Sequence, residues 1–112
     1  MQIWHNPRCR KSRETLALLQ ENGQAPEIIE YLKTPPSAEA LRAILRKLGI
    51  PAATLIRKSE AIYKENYKGK ELSEEEWIAA MVKYPKLIER PIVIEGDSAV
   101  IGRPPTNVLT LL

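Results

Sequence analysis

The first 31 residues constrain the fold more than any others, because two short apolar runs there flank a single helical stretch. Residues 2 to 5 and 27 to 31 read as strands, and Arg10 to about Asn22 reads as a helix closed by Gly23, at a position that favours a left-handed cap. A βαβ unit of this kind crosses over right-handedly, so its strands run parallel and its helix starts beside the carboxyl end of the first strand. Cys9 lies at that junction.

The remaining segments supply partners for this unit. After Thr34-Pro35-Pro36, Ser37 caps a helix in which Leu41, Ile44, Leu45 and Leu48 recur at helical spacing, and Gly49 and Pro51 stop it. Residues 52 to 68 read as short helices. Ser73 and Glu76 form a capping box with Leu72 and Trp77 as its hydrophobic staple, after which Trp77, Ala80, Met81 and Tyr84 share one face. Apolar runs at 92–94 and 99–101 around Gly96-Asp97 predict a β-hairpin, and Val108, Leu109, Leu111 and Leu112 predict a closing helix on the sheet. With no repeat or linker in between, the expectation is one α/β domain over residues 1–112 with a mixed sheet.

Composition excludes several classes of function. No apolar run approaches the length of a membrane span, and the amino terminus reads as strand rather than leader, so a soluble cytoplasmic protein without membrane partners is expected. The one cysteine cannot close an internal disulfide, which suits a reducing compartment. One cysteine and one histidine are too few for a closed zinc site, and no metal is assigned. The 17 basic residues are interspersed with 14 acidic ones and form no basic tail, which argues against nucleic acid.

Charge is concentrated locally instead. Arg8, Arg10, Lys11 and Arg13 crowd around Cys9, a setting suited to a thiolate and an anionic substrate. Free N–H groups and the positive end of the helix dipole favour the thiolate at a helix start. Ser12 can add a hydroxyl hydrogen bond to the sulfur, and His5, ending the first strand, can add a proton or a positive field. The spacing excludes two better-known thiol sites. A tyrosine-phosphatase loop needs arginine six residues after its cysteine, where this chain has Thr15, and a dithiol oxidoreductase needs a second cysteine where this chain has Ser12. Any disulfide that Cys9 forms therefore involves an outside partner.

The segment His5-Asn6-Pro7-Arg8-Cys9-Arg10-Lys11-Ser12-Arg13 resembles the active-site segment of the glutaredoxin-coupled arsenate reductases of the ArsC family. The likeness continues through Ile29-Glu30-Tyr31-Leu32, Pro35-Pro36-Ser37, Leu55-Ile56-Arg57-Lys58, Arg90-Pro91-Ile92-Val93 and Gly102-Arg103-Pro104, as in a short branch of that family. The resemblance implies a thioredoxin-like mixed four-stranded sheet with an inserted helical region, and a cis Arg90-Pro91 peptide opposite the cysteine. It implies an oxyanion site in which Cys9, His5 and Ser12 are catalytic while Arg57, Arg90, Arg103 and Asn6 bind the substrate. The implied chemistry is arsenate reduction with glutathione as co-substrate, glutaredoxin as partner and no bound cofactor. Two alternatives share the fold: a thiol oxidoreductase acting on glutathionylated protein or another oxyanion, and a non-catalytic regulator that binds RNA polymerase.

Overall fold

A computed structural model describes all residues from Met1 to Leu112. The chain divides into two compact units, one made of residues 1–34 and 90–112 and the other of residues 35–89.

The first unit contains the sheet. Strand β1 (Gln2–Trp4) pairs in parallel with β2 (Glu27–Ile29) on one side and antiparallel with β3 (Ile92–Glu95) on the other, and β3 pairs antiparallel with β4 (Ser98–Ile101). The order β2-β1-β3-β4, with helix α1 (Arg10–Glu21) crossing from β1 to β2, is the thioredoxin-like α/β arrangement. Side chains alternate across the pleat, so Ile3, Val93 and Val100 stand in register on one face. Leu19 of α1 and Val108 pack with Ile3 and Val93 to form the core of that face. Trp4 points the other way and stacks on the buried Tyr31, with ring centroids 6.5 Å apart.

Local chemistry explains where these elements end. Helix α1 closes at Asn22, and Gly23 follows at φ 80°, a left-handed conformation that other residues rarely adopt. The hairpin turns on Gly96-Asp97, with Glu95 opposite Ser98. Strand β2 is shorter than expected and stops at Ile29. The closing helix is a 3₁₀ helix over Pro105–Leu111, and it buries Val108 while Leu109 and Leu112 stay exposed. With three residues per turn, a 3₁₀ helix does not line up the i, i+3, i+4 positions of an α-helical stripe.

The second unit is helical: α2 (Ala38–Leu48), α3 (Ala52–Leu55), α4 (Ala61–Asn66), α5 (Glu74–Lys83) and a 3₁₀ turn at Pro85–Leu87. Ser37 accepts from the Ala40 N–H, Gly49 caps α2 at φ 69°, and Leu41, Ile44 and Leu45 are buried. The capping box of Ser73 and Glu76 is complete, satisfying two otherwise unpaired donors at the start of α5. Trp77, Ala80 and Met81 are buried, whereas Tyr84 falls just beyond the last turn and packs edge-on against Tyr67. Glu74 receives the Ala52 N–H on both carboxylate oxygens, at 3.0 and 3.1 Å, which anchors α3 to α5.

In the first unit, two loops meet α1 at Gly102. The Arg90–Pro91 peptide is cis as expected, and so is Arg103–Pro104. The Gly102 N–H donates to the Pro91 carbonyl at 2.9 Å. A Cβ at position 102 would lie 2.6 Å from Thr15 Oγ1 and 2.9 Å from Pro91 Cγ, closer than real Cβ contacts allow. Gly102→Ala therefore overpacks a closed site and is expected to lower stability by about 1–3 kcal/mol, read as a fall in Tm. Combining it with Thr15→Ala, which vacates that space, should cost less than the sum of the two single changes in a thermal-unfolding cycle.

Candidate functional site

The site is built on the turn between β1 and α1. The Asn6 carbonyl accepts from the Cys9 N–H at 3.0 Å, and Asn6 Oδ1 accepts from the Arg8 N–H at 3.0 Å. An asparagine that bonds the backbone two residues on is a standard way to close a tight turn. Arg13 secures the same turn from α1 by donating to the Pro7 carbonyl at 3.0 Å. Cys9 occupies the N-cap position of α1 in extended conformation, with no side-chain cap, and its carbonyl accepts the first helical bond, from Arg13. The sulfur consequently faces free helix N–H groups.

Four of the anticipated residues are buried together here: His5, Asn6, Cys9 and Ser12. Ser12 has two jobs. Its backbone N–H donates to the Cys9 sulfur. Its hydroxyl lies 2.6 Å from His5 Nδ1 and accepts the Asn6 N–H at 3.0 Å. The hydroxyl expected on the sulfur is thus engaged with His5, and the sulfur takes the amide instead.

Two arginines reach the thiol from the other end of the sequence. Arg103 Nη2 lies 3.6 Å from Cys9 Sγ, while its Nε donates to the Arg90 carbonyl at 2.7 Å. Arg90 also hydrogen-bonds the sulfur through its side chain, and its buried Nε has no hydrogen-bond partner. A buried guanidinium N–H left unpaired is costly unless an acceptor arrives, which suits an anion-binding site. Arg57 belongs to the second unit. There its guanidinium lies 3.8 Å from both Glu60 and Glu89, and its backbone N–H donates to the Leu87 carbonyl at 2.6 Å.

The electrostatics follow from these contacts. Burial pushes the Cys9 thiol up, but the Ser12 amide, the Arg90 hydrogen bond and charge, and the Arg103 charge together hold it below its ordinary value of 9.0. His5 moves the other way for a base. Burial lowers it most, Glu30 pulls it back up, and Arg13 lowers it again, leaving it below 6.5. At neutral pH the imidazole is therefore mainly neutral beside a thiol inclined to ionise.

Thr15 and Gly102 carry structural roles that residue-by-residue reading missed. Thr15 is fully buried, donates to the Lys11 carbonyl at 2.8 Å and sits against Gly102. The only local signal was a polar residue at i+3 from Ser12 on the buried side of α1.

The model of the ArsC family matches residues 4–111. The chain is 54% identical to the uncharacterized protein YfgD of Escherichia coli, covering all of this chain and 96% of that one. It is 47% identical to an arsenate reductase of Haemophilus influenzae, covering 98% and 97% of the two chains. Among solved structures, an arsenate reductase from Vibrio cholerae superimposes with a TM-score of 0.95 at 49% identity, covering 99% of this chain and 96% of that one.

The thiol shift carries a sign. An acid held below its unfolded value binds fewer protons when folded, so it adds stability in full above the unfolded thiol pKa and loses it as pH falls through the folded one. Iodoacetamide alkylation should therefore show a midpoint below that of a free thiol. Arg90→Ala and Arg103→Ala should each raise the midpoint, and Arg10→Ala, whose exposed side chain pairs with Glu14, should leave it in place.

Proposed function

The chain belongs to the ArsC family, and from that footing we propose that it is an arsenate reductase whose nucleophile is Cys9. The observation that carries this reading is the position of the sulfur between two guanidinium groups, one of them with a buried N–H left unpaired. Planar, permanently charged forks suit a tetrahedral oxyanion, and they offset the charge that gathers on its oxygens as sulfur attacks. Arg57 joins this set on the family pattern alone.

The chemistry balances as follows. The Cys9 thiolate forms a bond to arsenic and one oxygen leaves as water after gaining protons. Glutathione then attacks the sulfur of the adduct, the sulfur–arsenic bond breaks with its electron pair staying on arsenic, and arsenite departs. Arsenic gains two electrons, and the two thiols lose them as a Cys9–glutathione mixed disulfide. Glutaredoxin clears that disulfide and returns Cys9 to the thiol. An external thiol is required because no second cysteine exists to resolve the adduct. A reducing compartment, the cytoplasm, suits a protein whose one cysteine must stay reduced. No helix is long and apolar enough to cross a membrane.

Arsenate-dependent NADPH oxidation, coupled through glutathione reductase with glutaredoxin present or absent, tests the proposal. Turnover should require Cys9 and glutathione, and glutaredoxin should accelerate it. Arg90→Ala, Arg103→Ala and Arg57→Ala should each lower kcat/KM about tenfold to a hundredfold, the equivalent of one charge-assisted contact. Arg42, held in a bidentate pair by the exposed Glu75, is the control and should matter little. Turnover of glutathionylated protein without turnover of arsenate would replace this reading with the thiol-oxidoreductase one.

A further inference from the structure

Where β1 and β2 give way to their loops, a cavity of about 210 Å³ opens between the turn that carries Cys9 and the segment after β2. Pro7 and Arg8 line it from the turn, and Glu30, Leu32 and Lys33 from that segment. The His5 N–H donates to the Ile29 carbonyl at 2.8 Å, which holds the two loops beside each other. Two cations and one carboxylate therefore share this cavity. Glu30 and Lys33 pair at 3.4 Å with the lysine largely exposed, a contact weak enough for a ligand to exchange. Arg8 is exposed, and its guanidinium is held by no carboxylate. Leu32 is one of the few large apolar side chains that the fold leaves exposed.

We propose that this cavity is the subsite of the external thiol, seating the γ-glutamyl end of glutathione and presenting its sulfur to Cys9. The inference rests on reading Cys9 as a nucleophile resolved by an outside thiol. At neutral pH glutathione carries two carboxylates and one ammonium, the complement of Arg8, Lys33 and Glu30. Its γ-glutamyl end bears an ammonium and a carboxylate on one carbon, and Glu30 and Lys33 offer the opposite charges side by side. The methylenes that follow lie on Leu32, and the glycine carboxylate at the other end falls to Arg8. Complementary charge of this kind selects the partner and its orientation more than it adds affinity. A cavity below the roughly 300 Å³ at which whole-ligand sites begin takes only part of the tripeptide and leaves its thiol outside. Arg8 and Cys9 are neighbours, with Cα atoms about 3.8 Å apart, and three extended residues span about 10 Å, so the two sulfurs can meet.

The sheet order gives this approach its direction. Strands β2 and β3 flank β1 on opposite sides. Arg90 precedes β3 and Arg103 follows β4, so the guanidinium groups come to the sulfur from one side, Arg103 at 3.6 Å, while the cavity lies on the β2 side. Displacement at a divalent sulfur is in-line, with the incoming thiol and the leaving arsenic on opposite faces of it. An oxyanion held by the arginines and a thiol delivered from the cavity meet that requirement.

Glutathionylation of Cys9 by oxidised glutathione tests the subsite without arsenate. The Cys9 thiolate bonds to one sulfur of the disulfide, the sulfur–sulfur bond breaks, and the other half leaves as glutathione thiolate, so Cys9 is oxidised as the disulfide is reduced. Hydroxyethyl disulfide undergoes the same exchange without charge, and the ratio of the two rates, read by mass spectrometry, cancels any change in the thiolate fraction. Arg8→Ala and Lys33→Ala should each lower that ratio about twofold to fivefold, in keeping with exposed ion pairs. Glu30→Gln should lower it as well, because the ammonium loses its acceptor. General attraction of an anionic disulfide to a basic surface predicts the reverse for Glu30→Gln. Lys11→Ala, which removes an exposed cation two residues beyond Cys9 but off the cavity wall, should leave the ratio in place. A ratio that rose or held in Glu30→Gln, or that fell as far in Lys11→Ala as in Arg8→Ala, would overturn the proposal. A chain that showed the expected pattern but failed to turn over arsenate would lose the reductase reading and keep the glutathione subsite.

Discussion

The distance between Cys9 and Arg103 is set at a point where a single methyl group does not fit. Thr15 on α1, Pro91 before β3 and Gly102 after β4 close on one another, and Arg103 follows directly from that contact. The helix that presents the sulfur and the loop that presents the guanidinium are thereby held in register by sterics, before any charge acts. Close packing makes such a junction stiff, because interiors resist changes of even one methylene. The Arg103 Nε bond to the Arg90 carbonyl extends this to the second arginine, so both cations are referenced to one backbone framework.

On that framework the thiol is subject to two opposing effects of similar kind. Burial disfavours the thiolate, while an amide and two guanidinium groups favour it, and the donors prevail. Helix geometry supplies the amide at no conformational expense, since N–H groups in a first turn have no partner inside the helix. The same turn diverts the Ser12 hydroxyl to His5, so one residue serves the sulfur with its main chain and the histidine with its side chain. This division explains how a position occupied by sulfur in dithiol proteins can be filled by serine and still shape the nucleophile.

Much of this was legible from local chemistry. Capping residues such as Ser37, Gly49 and the Ser73–Glu76 box act within a few positions, and each fell where the sequence indicated. The hairpin around Gly96-Asp97 and the placement of Cys9 at a helix start are equally local. What escaped was tertiary. The clash at Gly102 depends on a residue 87 positions away, and neither member signals the other in the sequence. The direction of the Ser12 hydroxyl depends on two competing acceptors that spacing alone cannot rank. The closing segment had helical apolar spacing, but it folds as a 3₁₀ helix that buries Val108 and leaves Leu109 and Leu112 exposed.

The sheet order has a consequence for how the site comes into being. The central pair joins Gln2 to Ile94, while the whole of residues 35–89 intervenes between β2 and β3. Closing so large a loop is entropically expensive and slow, and contacts of such long range form late unless the intervening segment first becomes compact by itself. During synthesis Cys9 emerges well before Arg90 and Arg103. Until those arginines have emerged and β3 and β4 have paired, the cysteine has the reactivity of any unstructured thiol. The activated nucleophile is therefore a property of the completed fold alone, and a nascent or truncated chain carries only a weakly reactive sulfur through the crowded interval before β3 docks.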